Sequence, residues 1–174
     1  MDKELINSAA QALNIQAVFL RETAVSLKKD FVPQFVEAEL SLMPQYKAGP
    51  TGEFNVITAA HEEKIISLKA VVFHFSAGVR LVDERLLKAL EENPDTADEA
   101  AYVEITADFS AHYQMKDGAD ETSLHDAFGE FGRVNVGYHV WPYWREYVQS
   151  TCARIGIPPI PVPMYRIPCA TEEP

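Results

Sequence analysis

"AYVEITADFSAHYQM", Ala101 to Met115, constrains the fold more than any other stretch of the chain. Every odd position is apolar, while Glu104, Thr106, Asp108, Ser110 and His112 fall between. A period of two over that length describes a strand with one buried and one wet face. Strands of that kind belong to antiparallel sheets, because parallel sheets are covered on both sides and read as continuous apolar runs.

Other segments supply partners for this strand. From Ile15 to Leu27 the odd positions Ile15, Ala17, Phe19, Val25 and Leu27 are apolar, which predicts a strand. A second strand is expected from Phe35 to Met43, with Val36, Ala38, Leu40 and Leu42 inward and Glu37, Glu39 and Ser41 outward. "PQYKAGPTG" reads as a turn by its prolines and glycines, after which "EFNVIT" can resume pairing. Residues 64–81, rich in β-branched and aromatic side chains, predict a long central strand. "DERLLKALEENPDTADE", 83–99, predicts a helical turn and an acidic loop.

Helices flank the strands. Residues 2–13 predict a short N-terminal helix, with Leu5, Ala9, Ala12 and Leu13 along one side. Thr122 or Ser123 can cap a segment through Phe131, with Asp126 near its start. A second segment is expected to begin near Trp141, with Pro142 in its first turn and Gly156 at its end. The Pro-rich tail, 157–174, excludes helix and central strand and predicts an extended run over the surface. The expectation is one α+β domain, 1–174, in which helices pack on one face of a four-stranded antiparallel sheet.

Composition narrows the function. A formal charge of -11 argues against nucleic acid, which needs a basic surface. No apolar run is long enough to span a bilayer, so no membrane insertion is expected. "MDKELINSAAQALN" lacks the layout of a secretory signal, and with two cysteines in the chain a cytoplasmic location follows. No phosphate loop appears, and the five histidines, His61, His74, His112, His125 and His139, show no metal-ligand spacing. No cofactor or metal is expected. An acid-base enzyme using Glu104 or Asp108 with His112 stays open, as does a small-ligand protein on a similar sheet. Glu22, Glu37, Glu39, Glu104 and Asp108 fall on outward positions, either a solubilising face or a docking surface for a basic partner.

"WPYWREYVQSTCARIGIPPIPV" then carries a resemblance. Its core of Trp141, Pro142, Tyr143, Arg145 and Glu146, followed by Pro158 and Pro159, resembles the long-helix motif of the SecB-type protein-export chaperones. The extra N-terminal helix resembles the SecB-like proteins found beside toxin-antitoxin pairs. "KDFVPQF" is similar to the crossover joining that family's first two strands. The resemblance implies an ATP-independent holdase without enzymatic activity, binding unfolded polypeptides or preproteins. It implies a homotetramer, a dimer of dimers, with SecA or an antitoxin as a further partner; the alternative is a dedicated chaperone of a single client such as an antitoxin. Carried over by position, Phe31, Val32 and Phe35 line a client groove, although the residues alone equally allow loop-to-core anchors. Glu22 and Glu104 fall on the acidic docking face. Trp141, Pro142, Tyr143, Arg145 and Glu146 serve packing and assembly. The chain departs from export members in its 83–99 insertion and in a tail too short for their final helix.

Overall fold

The computed structural model describes residues 1–35, 40–61, 64–86 and 100–166. Helix α1 (Lys3–Ala12) leads into β1 (Leu13–Leu27), then β2 (Leu42–His61), β3 (Lys64–Asp83) and β4 (Ala101–Met115). Helices α2 (His125–Val134) and α3 (Val136–Ile155) follow. All pairings are antiparallel, in the order β1-β4-β3-β2. The four-stranded α+β architecture read from the sequence is the one observed.

β4 behaves as its alternation dictates. Val103, Ile105, Ala107, Phe109, Ala111, Tyr113 and Met115 are buried, and their β3 neighbours Val71, Phe73, Phe75, Ala77 and Val79 share that face. Each fully buried large side chain here is worth about 1.5–3 kcal/mol against its exposed state. β1 departs from the expected pattern. Its register slips between Ile15 and Ala17 and between Leu20 and Glu22. Each bulge reverses which parity faces the helices, so Ala17 and Phe19 turn outward while Val25 and Leu27 return inward.

The second strand is the main correction. Pro33–Phe35 forms a 3-10 turn and β2 starts at Leu42, so Phe35 is not a strand residue. Residues 36–39, with Val36, Glu37, Ala38 and Glu39, lie outside those described. "PQYKAGPTG" is part of β2 instead of a turn, because β2 is an edge strand. Pro44 and Pro50 sit where one side of the ladder needs no donor. Gly52, at φ +85°, falls inside the register shift between Pro50 and Phe54, a conformation costly for any other residue. "EFNVIT" does resume pairing, Phe54 opposite Phe73.

The helices cover one face. Asp2 caps α1 by accepting from the amides of Glu4 and Leu5. Asp120, not Thr122 or Ser123, supplies the acceptor before α2: it takes the Ser123 amide at 3.0 Å. α2 approaches β3 closely at Gly132, where a Cβ would stand 2.8 Å from the Phe73 ring. α3 begins at Val136, so Pro142 lies inside the helix and not in its first turn. The Tyr138 carbonyl loses its i+4 donor there, which is tolerable because Tyr138 and Pro142 both lie on the solvent side. Gly156, left-handed at φ 74°, ends the helix as expected.

Beyond α3 the tail runs extended as a strap, burying Ile157, Ile160 and Val162. Trp141 donates its indole N–H to the Pro163 carbonyl at 2.7 Å, and the Tyr46 hydroxyl donates to Pro161 at 2.6 Å. Tyr165 fills the space left by Gly137, among the rings of Phe75, Tyr138 and Trp141. Residues 87–99 and 167–174 lie outside those described.

Candidate functional site

The crossover after β1 builds a hollow. The Lys28 amide donates to the Tyr102 carbonyl, the Phe31 amide to Lys28 and the Phe35 amide to Val32, each at 2.9 Å. These bonds curl the segment over the end of the sheet. The result is a cavity of about 270 Å³ lined by Lys28, Asp30, Phe31, Val32, Phe35, Leu40, Arg85 and Tyr102. Phe31 meets Tyr102 edge-on with centroids 5.4 Å apart, and the Lys28 ammonium lies 4.4 Å from the Tyr102 centroid. Val32 is exposed, and Phe35 keeps 84% of its surface in water. Phe31 alone of the three packs against the core.

The far wall is anchored. Arg85 grips Asp83 with a fork of hydrogen bonds, Nη2 to Oδ2 at 2.6 Å and Nε to Oδ1 at 3.0 Å. This fork, helped by Lys28 nearby, holds the Asp83 carboxyl below the usual carboxylate range. Ser41 and Glu84 bond reciprocally, hydroxyl to Oε2 at 2.8 Å and amide to carbonyl at 2.9 Å. The strand entering β2 is thereby stitched to the turn leaving β3.

Phe31, Val32 and Phe35 are therefore brought together, with five further lining residues: Lys28, Asp30, Leu40, Arg85 and Tyr102. Lys28, Asp30 and Leu40 lie in or beside the crossover itself, whereas Arg85 carries no signal, since its approach depends on sheet closure. Tyr102 carried one: it is an aromatic among the polar even positions of β4. The register there pairs Leu81 with Val103 and Val82 with Ala101, leaving Tyr102 as the extra residue of a bulge. The bulge turns the ring toward the crossover.

Glu22 and Glu104 lie on the outer face, away from the helices. Glu22 is directly opposite Asp108, and Glu104 is opposite Arg80. The face is not uniformly acidic: β1 and β4 carry the carboxylates, while β3 and β2 carry Arg80 and Lys47. Two larger hollows, about 470 and 500 Å³ and lined mostly by apolar surface, run along it over Gly78 and Thr106. Glu37 and Glu39 lie outside the described residues.

The motif helix divides in two. Trp141 and Trp144 are buried, whereas Pro142, Tyr143, Arg145 and Glu146 face outward. Arg145 touches the Met164 sulfur at 3.8 Å.

The acid-base alternative finds no site. Along an extended strand, Glu104 stands about 27 Å and Asp108 about 14 Å from His112. His112 instead bonds Ser110 at 3.0 Å and meets Phe19 edge-on, while His74 sits beside Asn55 at 3.3 Å. Burial, with Arg21 and His74 nearby, pushes the His112 pKa down. Among the described residues no His, Cys, Asp and Glu group could hold a metal, and no helix is long and apolar enough to cross a membrane.

No protein-family model and no curated protein sequence matches the chain. A solved structure does. The SecB-like chaperone of Mycobacterium tuberculosis, in complex with a ChAD peptide from the HigA1 antitoxin, superimposes with a TM-score of 0.58. The match covers 94% of this chain and 98% of that chain at 16% identity. The fold is SecB-like.

Proposed function

We propose that this protein is a SecB-like chaperone that holds an extended, non-native segment of a dedicated client, such as an antitoxin, without nucleotide or catalysis. The carrying observation is the crossover hollow, where Phe31, Val32, Phe35 and Tyr102 converge and Phe35 is left almost wholly in water. An apolar rim that is exposed yet held by backbone hydrogen bonds can receive side chains of varied sequence without rearranging. The fold neighbour's bound antitoxin peptide supports the dedicated client over the general holdase that serves preproteins. Docking of SecA at Glu22 and Glu104 is a weaker reading, because Arg80 and Lys47 share that face and oppose a purely basic partner.

Assembly into a tetramer belongs to the same proposal. The two sheet edges are both bulged but differ in composition: β2 is blunted by Pro44 and Pro50, whereas β1 contains neither proline nor glycine. β1 also exposes Ile15, Leu20, Val25 and Leu27, and α3 exposes Tyr138 and Tyr143. These are the surfaces for a second copy.

The test is suppression of client aggregation at stoichiometric amounts, using an antitoxin and an unrelated preprotein side by side. Protection of the antitoxin alone supports the dedicated reading. Equal protection of both favours the general holdase, and protection of neither removes the chaperone assignment.

A further inference from the structure

The hairpin of β2 and β3 outruns the sheet. β3 pairs with β4 only as far as Ala70 opposite Gln114, yet its pairing with β2 continues through Thr58–Lys69, Ala59–Leu68 and Ala60–Ser67 to His61–Lys64. Residues 64–69 thus form one strand of a two-stranded ribbon, about 20 Å long at ~3.3 Å per residue. β4 ends at Met115, where the Lys116 amide makes a last bond on the β1 side, to the Ala12 carbonyl. Among the described residues no strand lies beside the β3 edge of the ribbon, and Glu121 reaches only its base, at Lys69 (3.5 Å).

Two further observations concern what covers it. Two-stranded ribbons are marginal in water and gain stability from a third strand with an apolar face. On the outer side the ribbon's base is apolar, with Ile57 and Leu68 about half exposed and the partly exposed Ala70 opposite Ile57. Only an extended chain can supply backbone partners to the edge while placing every second side chain on that patch.

We propose that the open edge at residues 64–69 is a second station for the client, which adds to β3 as a strand in line with β4. This inference rests on the chaperone reading above and extends it. The station reads backbone and alternating apolar side chains, whereas the crossover hollow reads side chains alone. The two lie at opposite ends of the sheet, roughly 40 Å apart along β4. A client long enough to reach both binds with the gain of a tethered second contact; a short one occupies either.

The experiment uses fluorescently labelled peptides with valine at alternate positions, one of about 8 residues and one of about 20 residues. A twin of the shorter peptide carries N-methyl groups on alternate amides, which blocks one strand edge and leaves its side chains unchanged. Binding is measured to the full chain and to Phe35→Ala, Leu68→Asp and the double variant. Both substitutions are at exposed positions, and circular dichroism verifies the fold. The expected result is that the longer peptide binds at least tenfold tighter than the shorter to the unsubstituted chain. In Phe35→Ala, the short peptide still binds, and either N-methylation or Leu68→Asp weakens it at least tenfold. Indifference to both changes would overturn the ribbon station and leave the hollow standing. Loss of all short-peptide binding in Phe35→Ala would do the same. If neither peptide binds the unsubstituted chain, the chaperone reading and this inference fall together.

Discussion

Phe31 and Phe35 share one crossover but carry different burdens. Phe31 packs against Tyr102 and the core, so Phe31→Ala should cost stability, about 1–3 kcal/mol, as well as client affinity. Phe35 has little left to lose from folding, so Phe35→Ala should leave the melting temperature within about 2 °C and weaken client binding alone. Paired thermal melts and binding isotherms separate the two roles. A different residue-scale effect concerns His139, whose Nδ1 shares a hydrogen bond with the Tyr113 hydroxyl at 2.8 Å. Burial pushes the Tyr113 phenol up, so it stays protonated, and burial pushes His139 down. His112 is lowered in the same sense, also chiefly by burial. The unfolded chain takes up these protons near the ordinary value of about 6.5, before the folded chain does. Stability is therefore fully present above that pH and lost as pH falls below it. Melting temperature should drop between pH 7.5 and pH 5.5, and His139→Gln should flatten the drop.

At the scale of elements, the proline strap is fastened to α3 and to β2. It is held by carbonyls given to Trp141 and Tyr46 and by the Tyr165 ring seated over Gly137. Gly137→Ala would drive a methyl group into that ring, and a loss of about 1–3 kcal/mol in urea denaturation is expected. Pro142 works in the opposite direction. It interrupts α3 on the exposed side, so Pro142→Ala should restore the bond to Tyr138 and raise stability by up to about 3 kcal/mol. A fall in stability would mean that the proline ring itself is needed at that position of α3.

For the whole molecule, the two edges decide association. A strand end such as Val25, exposed on an edge free of proline, invites a second copy. Light scattering should give a mass near four chains, and Val25→Lys on β1 should reduce it while the same change at Tyr46 on β2 should not. Tyr46→Lys also breaks the strap bond at Pro161, so its melting temperature is followed in parallel. An unchanged mass for Val25→Lys would place the interface elsewhere.

How much of this could be read in the sequence varies with how local the cause is. The alternation of β4, Gly156 at the end of α3 and the order of strands and helices are short-range effects, and each emerged as expected. Grouping Phe31, Val32 and Phe35 was equally legible, because three apolar residues in one connection share a neighbourhood whatever the fold. Only tertiary structure decided the rest. Pro44 and Pro50 look like turn residues until β2 proves to be an edge, where no partner asks for their missing amide. Ala17 and Phe19 change faces through bulges set by the register of neighbouring strands, and Tyr102 becomes the extra residue of another. Arg85 and Tyr102 reach the hollow only because strand ends distant in sequence meet there. Side-chain periodicity is written along the chain, but edge position, register and closure depend on which strand lies beside which.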